Sequence, residues 1–479
     1  MEKYKDLYYK VRKNKKHFEK MLEKAEKCNN PTKKVELARQ AVKYAVFNNG
    51  GYFTNSRLEK IFIDCAQNID IENYNIKYKE NSFLHVLTTG YNTGGHTRVV
   101  ERWIKNAPNN QIHSVAILKP DKNYTSIDDI VVNGNVYRFS KKDIIQNALR
   151  LRKLSLNYKY IILHVHMQDP TALIAYGTEK IQRPILFYNH ASHLFWVGKN
   201  ISDVIMDIIK NDIVTKEYRR IENTYFLGIP TESVEIKKYN KIEKRQKLNL
   251  PLDKKIIISA GSAGKYKPIN GDNYIDAISQ ILDDDTICYF IGPSIKDAYW
   301  KKVYEKTNHR IVPLGYINFD DGFSDYLACA DLYIDSYPFG GGTALIDAIC
   351  TDIPVLSLKS YYSQLDYLIE TSAYCQNKEE FMLKIKRILK DKNYSNQIKQ
   401  ELQYNLNRYQ SLDAWNARIR NLIRNLDYSH KVRDTNVEDF CKITDLAVAD
   451  NILANDKFDK IKFIEKIRKS KISKIFMMN

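Results

Sequence analysis

The sequence lacks long apolar runs and an apolar N-terminal segment. No apolar stretch in its 479 residues approaches the roughly 18–20 residues that a membrane-spanning helix needs. The first twenty residues, MEKYKDLYYKVRKNKKHFEK, are charged throughout and hold no apolar core of the kind that a secretory signal has. These two absences predict a cytoplasmic protein.

Cysteine is scarce and scattered. The chain has seven cysteines, an odd number, and no CxxC pair or Cys/His cluster has the spacing of metal ligands. The sequence therefore predicts neither a disulfide framework nor a zinc site. The seven residues are Cys28, Cys65, Cys288, Cys329, Cys350, Cys375 and Cys441.

Positive charge is in clear excess. Lys and Arg together number 75 and Asp and Glu 57, which gives a formal net charge of +18. Such an excess favours anionic partners, namely phosphates, anionic lipid surfaces or nucleic acid. Because no aromatic-and-basic RNA motif or helix-turn-helix pattern is present, we expect no nucleic-acid partner. A biased genome that enriches lysine and tyrosine explains the charge equally well.

Hydrophobic periodicity divides most of the chain into three parts. Residues 1–80 have apolar residues at helical spacing, which predicts a helical N-terminal extension with a break at 30–32. Residues 81–240 and 248–427 alternate short apolar runs with longer amphipathic stretches, a pattern that predicts parallel strands joined by helices. The charged segment 235–247 is predicted to link these two parts.

Two such alternating series predict the fold class. We expect an α/β protein with two Rossmann-like, doubly wound domains that face each other across a cleft. Ligands of such sheets bind beyond the carboxyl ends of the strands, so the site is expected in the cleft. The predicted strands are 83–88, 114–118, 131–139, 160–165, 185–188 and 224–227 in the first domain, and 255–259, 286–291, 310–313, 332–335 and 354–356 in the second.

Residues 428–479 are predicted to form a helical, basic tail. From Phe458 to Asn479, isoleucines and phenylalanines alternate with lysines and arginines. A basic amphipathic helix is typical of peripheral contact with a membrane surface, which would place the protein at the inner face of the membrane. Packing against the rest of the protein or against a partner is the alternative.

The segment 332–347 carries the strongest signal for a ligand. A buried strand ends, and Gly340, Gly341 and Gly342 then lead into a helix that begins near Thr343. Glycines let the backbone approach a ligand, and a helix start offers free N–H groups and a positive dipole. This arrangement suits a diphosphate, although an ordinary glycine-rich turn would have the same pattern.

The segment 256–268 is the first strand and turn of the second domain. Small residues, among them Ser262, leave space at the carboxyl end of this strand. Lys265 and Lys267 follow, and a lysine can neutralise the charge of a phosphate. We therefore predict that these three residues bind a donor, with a solvated turn as the alternative.

The segment 87–98 is the first strand, loop and helix of the first domain. Gly94 and Gly95 precede His96 and Arg98 on the loop that faces the predicted cleft. Histidine has the pKa range of a general base, so His96 could take a proton from an acceptor hydroxyl. The alternative is that His96 only caps the following helix.

His190 and His193 follow a later strand and are predicted to line the acceptor cleft. Their three-residue spacing resembles a metal pair, but no carboxylate or third histidine lies nearby in the sequence, so no metal is predicted. His164 and His166 follow another strand, and at least one of them is expected to be structural.

Together these segments resemble the GT-B glycosyltransferases. The resemblance is closer to the branch that contains the O-linked N-acetylglucosamine transferase, SPINDLY-like proteins and their bacterial relatives, and it covers roughly residues 83–425. It implies that the second domain holds a UDP-linked sugar donor and that the first domain presents the acceptor.

The resemblance also assigns roles to single residues. Lys267 looks like the family's diphosphate lysine, and Thr343 resembles the threonine that donates to the donor phosphates. Asp347 resembles the carboxylate that contacts the ribose, and His96 looks like the loop histidine of the first domain. The family's histidine beside the helix-start threonine is Gly342 in this sequence.

The resemblance implies transfer of a sugar to a glycan, lipid-linked or protein acceptor, in bacterial surface glycan or glycoconjugate synthesis. No DxD motif sits at an obvious strand end, so we expect no metal and no cofactor beyond the nucleotide sugar itself. The two-glutamate pattern of many retaining relatives is absent, which favours inversion of the anomeric centre. A GT-B-fold sugar-nucleotide epimerase and a non-catalytic, glycosyltransferase-like binding subunit are the alternatives.

Overall fold

The computed structural model does not describe every residue of the chain. Gly94 and most of the predicted tail, 428–479, lie outside the described residues. The described residues are 5–91, 95–121, 123–139, 143–210, 212, 214–231, 234–268, 273–317, 322–359, 365–426 and 430–433.

Three helices form the N-terminal part of the chain, as predicted: α1 (Lys5–Glu26), α2 (Pro31–Phe47) and α3 (Ser56–Gln67). The side chain of Asn30 accepts a hydrogen bond from the backbone N–H of Lys33, and a proline follows it at the first helical position. Both features favour a helix start, which explains the break between α1 and α2. The buried residues of these helices share one core with the first sheet, so the extension is an integral layer of that domain.

The first sheet has seven parallel strands in the order β3-β2-β1-β4-β5-β6-β7. Six of them confirm the predicted strands, and β6 lies in a short apolar run that the sequence pattern did not distinguish. The strands are β1 (Lys79–Leu87), β2 (Ile112–Ile117), β3 (Val136–Arg138), β4 (Tyr158–His164), β5 (Ile185–Asn189), β6 (Val204–Asp207) and β7 (Thr224–Phe226).

The second sheet has six parallel strands in the order β10-β9-β8-β11-β12-β13. Five confirm the predicted strands, and the two-residue β13 is an addition. They are β8 (Lys255–Ala260), β9 (Thr286–Ile291), β10 (Ile311–Gly315), β11 (Leu332–Ile334), β12 (Val355–Leu358) and β13 (Tyr374–Cys375).

Helices connect the strands in both domains. In the first domain they are α4 (Gly95–Lys105), α5 (Ser126–Ile130), α6 (Ile144–Ser155) and α7 (Thr171–Tyr176). From the linker onward they are α8 (Lys241–Lys247), α9 (Tyr274–Ser279), α10 (Ala298–Lys306), α11 (Ser324–Cys329), α12 (Thr343–Cys350), α13 (Asp366–Ile369), α14 (Lys378–Lys390), α15 (Lys392–Gln410) and α16 (Leu412–Arg424).

The strand orders confirm the prediction of two doubly wound domains. In each sheet the order reverses beside the first strand of the domain, between β1 and β4 and between β8 and β11. A crevice opens at such a reversal, beyond the carboxyl ends of the two strands. The loops that follow these four strands are therefore where ligands are expected.

The segment predicted as a linker, 235–247, contains helix α8. Arg245 of this helix is buried, and its guanidinium donates to the carbonyl of Cys329 at 2.9 and 3.0 Å and to Asp331 at 2.8 Å. The second half of the segment is thus docked on the second domain rather than solvated. The sequence did not indicate this contact, because most of the charged residues around Arg245 are exposed and the segment therefore looks like a solvated linker.

Helix α16, which the sequence placed with the second domain, packs against the first. The ring of Trp415 meets that of Trp103 on α4 edge to face, with centroids 5.0 Å apart, and both lie in a core with strands β1, β4 and β5. The guanidinium of Arg418 donates to the carbonyl of Leu227 at 2.9 Å.

The chain therefore passes between the domains twice, and the two passages touch. Gln410, at the end of α15, is buried; its side chain accepts from the backbone N–H of Ile229, and its backbone carbonyl accepts from the hydroxyl of Thr231. Among the helices that the structure describes, none is long and apolar enough to cross a membrane.

Candidate functional site

A buried carboxylate shapes the glycine loop of the second domain. Asp335, directly after β11, accepts hydrogen bonds from the backbone N–H groups of Ser336 at 2.8 Å and Gly341 at 2.7 Å, and from the hydroxyl of Ser357 at 3.0 Å. Burial raises the pKa of Asp335 to about 6, while these donors and Lys265 oppose the rise. The loop is thereby folded back onto the end of its own strand.

The three predicted glycines lie between this carboxylate and the start of α12. A Cβ on Gly341 would lie 2.9 Å from the carboxylate oxygen of Asp335, so a side chain there is excluded unless Asp335 moves. A Cβ on Gly342 would have Ile229 of the first domain as its nearest neighbour, at 3.9 Å. Gly342 precedes Thr343 and offers no side chain to cap α12, so the first turn of this eight-residue helix keeps N–H groups for an anion.

Lys265 lies in the turn after β8, and its side chain reaches the glycine loop that follows the neighbouring strand β11. Its ammonium donates to the carbonyl of Gly340 at 3.0 Å and lies 5.2 Å from the ring centroid of Phe339. Burial lowers the pKa of Lys265, and the charge of Asp335 opposes this. A partly desolvated lysine beside a helix start is a suitable partner for a phosphate.

Ser262 and Lys267 flank Lys265 in the turn after β8. The backbone carbonyl of Ser262 accepts from the N–H of Lys265 at 2.9 Å, and the side chains of Ser262 and Lys267 are both exposed. The sequence resemblance gave the diphosphate to Lys267. The ammonium of Lys265 contacts the glycine loop, and the role of Lys267 stays a prediction.

Asp347 lies one turn into α12 and faces helix α4 of the first domain. Burial raises the pKa of Asp347 to about 6, and the positive charges of Arg102 and then Arg98 oppose this shift. Arg98 was predicted for the acceptor side, and the structure places it within electrostatic reach of the donor-side carboxylate. Arg102 was missed, although its position four residues after Arg98 puts it on the same face of the helix.

His96 stands in the first turn of α4, which begins at Gly95. Its Nε2 donates to the carbonyl of His164 at 2.5 Å, which leaves the lone pair of the neutral ring on Nδ1. Its ring lies against that of His190, with centroids 3.9 Å apart at 33°. Burial lowers the pKa of His96 to about 4, so the ring is neutral at pH 7 and can accept a proton.

His190 and His193 follow β5 and face the same crevice. The ring of His193 meets Phe339 of the glycine loop, with centroids 4.8 Å apart, so it bridges the two domains. Burial lowers the pKa of His193 to about 3, and the charges of Lys265 and Arg219 act in the same direction. Predicted acceptor-side and donor-side residues are thus brought together in space.

Metal ligation is not evident in the part of the chain that the structure describes. No group of three or more histidine, cysteine, aspartate or glutamate side chains there could hold a metal ion. That the protein works without a metal stays a prediction.

The fold and its site define a class of structure. Two parallel, doubly wound domains with facing crevices are the GT-B fold, and the structure has that fold, as predicted. The Anabaena protein Alr3699/HepE, solved with UDP, has a similar fold at 13% identity, with a TM-score of 0.56 over 72% of this chain and 100% of that chain.

Two further solved structures show the same fold. A glycosyltransferase from Rickettsia africae is 12% identical, with a TM-score of 0.55 over 73% of this chain and 100% of that chain. An O-GlcNAc transferase mutant from Thermobaculum terrenum is 10% identical, with a TM-score of 0.54 over 81% and 76%. Identities this low show the fold alone, and the closer resemblance to the O-GlcNAc transferase branch stays a prediction.

The second domain also matches a family in sequence. Residues 240–403 match the family model of glycosyl transferases group 1. No curated protein matches the chain. The family match covers the glycine loop, Lys265 and Asp347, which are the donor-side residues predicted from the sequence.

Proposed function

We propose that this protein is a glycosyltransferase that moves a sugar from a nucleotide-diphosphate donor to an acceptor hydroxyl. The observation that carries the proposal is the contact between Lys265 and the glycine loop at the uncapped start of α12. Backbone N–H groups, a helix dipole and an ammonium together stabilise the negative charge that develops on a leaving diphosphate. The match of residues 240–403 to group 1 glycosyl transferases supports the same activity.

The donor is proposed to be UDP-linked. The Anabaena neighbour of the same fold was solved with UDP, with UDP and glucose, and with UDP-glucose. Thr343 would donate to the phosphates and Asp347 would contact the ribose, as the sequence resemblance implies. The positive charges of Arg102 and Arg98 favour the ionised form of Asp347, which burial of this carboxyl group disfavours.

The acceptor is proposed to enter from the side of the first domain. His96 and His190 are neutral imidazoles whose rings lie against each other, tilted by 33°, at the carboxyl edge of the first sheet, and one of them takes the proton of the acceptor hydroxyl. Deprotonation of an acceptor that attacks opposite the leaving diphosphate inverts the anomeric centre. A glycan, lipid-linked or protein acceptor, a role in surface glycan synthesis and membrane contact through the tail remain predictions.

A donor screen tests the proposal. The purified protein is incubated with UDP-, GDP- and CMP-sugars, nucleotide release is measured, and UDP binding is measured by calorimetry. We expect UDP binding and UDP release, both strongly reduced in Lys265→Ala. Conversion of the donor into an epimer, followed by NMR, would show an epimerase instead, and absence of nucleotide binding would leave a non-catalytic subunit.

Inversion and the role of His96 have their own measurements. NMR of the glycosylated product gives the anomeric configuration of the new bond, which we expect to be opposite to that of the donor. Wild-type activity in His96→Ala would remove His96 from the reaction.

A further inference from the structure

Four imidazoles form a continuous hydrogen-bonded row across the first sheet. Nδ1 of His113 on β2 lies 2.9 Å from Nε2 of His85 on β1. Nδ1 of His85 lies 3.2 Å from Nε2 of His164 on β4, whose Nδ1 lies 3.1 Å from Nε2 of His190 after β5. The row therefore runs through four adjacent strands without interruption.

The row joins two separate places on the protein. His190 is at the carboxyl edge of the sheet, beside His96, and within the described residues its Nδ1 has no hydrogen-bond partner. At the other end, Nε2 of His113 lies 3.0 Å from the side-chain oxygen of Gln111. Both of these residues line a cavity of about 250 Å³ whose wall also includes Lys105.

The orientation of the Gln111 amide decides which nitrogen of each ring carries the hydrogen. A neutral imidazole has one N–H and one lone pair, so every ring in the row must donate on one side and accept on the other. Because the oxygen of Gln111 accepts from His113, each ring carries its hydrogen on Nε2, and His190 turns the lone pair of Nδ1 toward the cleft. Rotation of the Gln111 amide would present an N–H instead and would suit the opposite arrangement equally well.

The surroundings keep the row uncharged. Trp103 packs edge-on against His85, Phe83 stacks on His113 and Tyr188 stacks on His164, at centroid distances of 5.1, 4.6 and 5.4 Å. Burial lowers the pKa of all four imidazoles, that of His113 to about 3. Each ring therefore holds a single proton at pH 7, as a relay by tautomer exchange requires.

We propose that this row carries the acceptor's proton out of the cleft, with His190 as the base and His113 as the point of release. As the acceptor oxygen bonds to the sugar carbon, its O–H proton passes to Nδ1 of His190, and the Nε2 proton of His190 passes to Nδ1 of His164. His164 and then His85 repeat this exchange, and the hydrogen bond between Nε2 of His113 and Gln111 breaks as this nitrogen gives its proton to water in the cavity. No ring is charged when the shift is complete.

The row returns to its first state by the reverse exchange. After the product leaves, Nδ1 of His190 gives a proton to water in the cleft and Nε2 of His113 takes one from the cavity, so the row keeps the proton out of the cleft only while the sugar is transferred. The inference rests on the proposed glycosyl transfer. It assigns the base to His190 rather than to His96, because Nε2 of His190 is hydrogen-bonded to a further imidazole that can exchange tautomers, whereas Nε2 of His96 is hydrogen-bonded to the backbone carbonyl of His164.

Interrupting the row in its middle tests the relay. His85→Gln keeps a polar group that can hydrogen bond but cannot exchange tautomers. We expect its kcat for UDP release to fall about tenfold or more, with unchanged UDP affinity, because the crevice of the second domain is untouched. His113→Gln, at the edge of the cavity, should show the same loss and serves if His85→Gln does not fold.

A matched control and a spectroscopic measurement separate the relay from packing. Tyr160→Phe changes a residue that stacks on Phe83 on the same face of the sheet, and it should keep kcat within about twofold of the wild type. In 15N-histidine NMR of the wild type, the four rings should each show one protonated and one unprotonated nitrogen. The solvent isotope effect on kcat should change in His113→Gln.

The outcomes are distinct. Wild-type kcat and isotope effect in both glutamine variants, or an imidazolium in the row at pH 7, would overturn the relay. A wild-type protein that binds no nucleotide sugar would contradict the proposed function, whereas loss of kcat with retained UDP affinity is the result expected of the relay alone.

Discussion

The two sides of the crevice use different chemistry. The second domain contributes one nearly continuous stretch, in which Asp335 holds the glycine loop, and Lys265 adds a positive charge. The first domain contributes neutral aromatic rings, and seven of the ten histidines in the chain lie between residues 83 and 240. Charge and backbone suit the binding of a diphosphate, whereas neutral imidazoles suit the transfer of a proton. The four predictions below test this contrast, from the largest expected effect to the smallest.

Acid should destabilise the first domain more than the second. Burial holds the pKa of His96 at about 4 and those of His113 and His193 at about 3, below the ordinary value of about 6.5. At pH values between about 4 and 6.5 these imidazoles bind more protons in the unfolded chain than in the folded protein. The free energy of unfolding therefore falls as the pH is lowered through this range. Asp335 and Asp347, with pKa values raised to about 6, act in the opposite direction.

The three imidazoles should together cost about 5 kcal/mol of unfolding free energy between pH 6.5 and pH 5, and the two carboxyl groups of the second domain should offset about half of that loss. Hydrogen exchange at the two pH values, followed by mass spectrometry, would locate the loss in peptides of the first sheet. His113→Gln lacks one of the titrating rings and should show a shallower pH dependence. Greater loss of protection in the second domain would contradict the contrast.

Lys265→Ala should cost about 3 kcal/mol of transition-state stabilisation, a loss of roughly 100-fold in kcat/KM, because it removes the cation that contacts the glycine loop. Lys267→Ala, which changes an exposed side chain in the same turn, is the matched comparison and should lose less. Steady-state UDP release measures both. The reverse ranking would place the phosphates nearer Lys267, as the sequence resemblance implies.

Gly341→Ala should lower the free energy of unfolding by about 2 kcal/mol, because its Cβ would lie 2.9 Å from the carboxylate of Asp335. Gly342→Ala, the adjacent substitution, meets its first neighbour at 3.9 Å and should change stability by less than about 0.5 kcal/mol. Denaturant unfolding of the two variants decides this. Equal stability would mean that Asp335 does not fix the loop.

Asp347→Asn should weaken UDP binding by about 1 kcal/mol, or roughly fivefold, if an ionised carboxylate contacts the ribose. The wild type should also bind UDP less tightly as the pH falls below about 6, where Asp347 takes up a proton, and the variant should show only the weaker dependence that protonation of the UDP phosphate itself causes. Calorimetric titration at pH 5.5 and 7.5 measures both effects. A wild-type affinity that is independent of pH would exclude Asp347 from the contact.

The sequence showed how the glycine loop of the second domain is built better than it showed how the histidines of the first domain meet, and the contrast explains why. Gly340 to Thr343 and Asp347 are neighbours along the chain, so a strand, a glycine run and a helix start place them without knowledge of the fold. Their pattern is typical of a site for a diphosphate, and that ligand stays a prediction.

The histidine row could not be predicted in this way. His85, His113 and His164 meet only because β1 lies between β2 and β4, and because the strand register sets them on one face. No local pattern encodes that order. The partner of α16 was missed for the same reason, since the sequence shows its apolar face but not which sheet receives Trp415.

The contacts of Gln410 bear on how the crevice could close. The chain crosses between the domains near Thr231 and again near Gln410, and hydrogen bonds tie these crossings together at a single point. These two connections run side by side, so they oppose sliding and separation of the two domains. Rotation of one domain about a line through both connections changes few backbone dihedral angles. Opening and closing of the crevice should therefore be a hinge rotation of one domain relative to the other. Cutting the chain after α15 would remove one of the two covalent connections at this hinge.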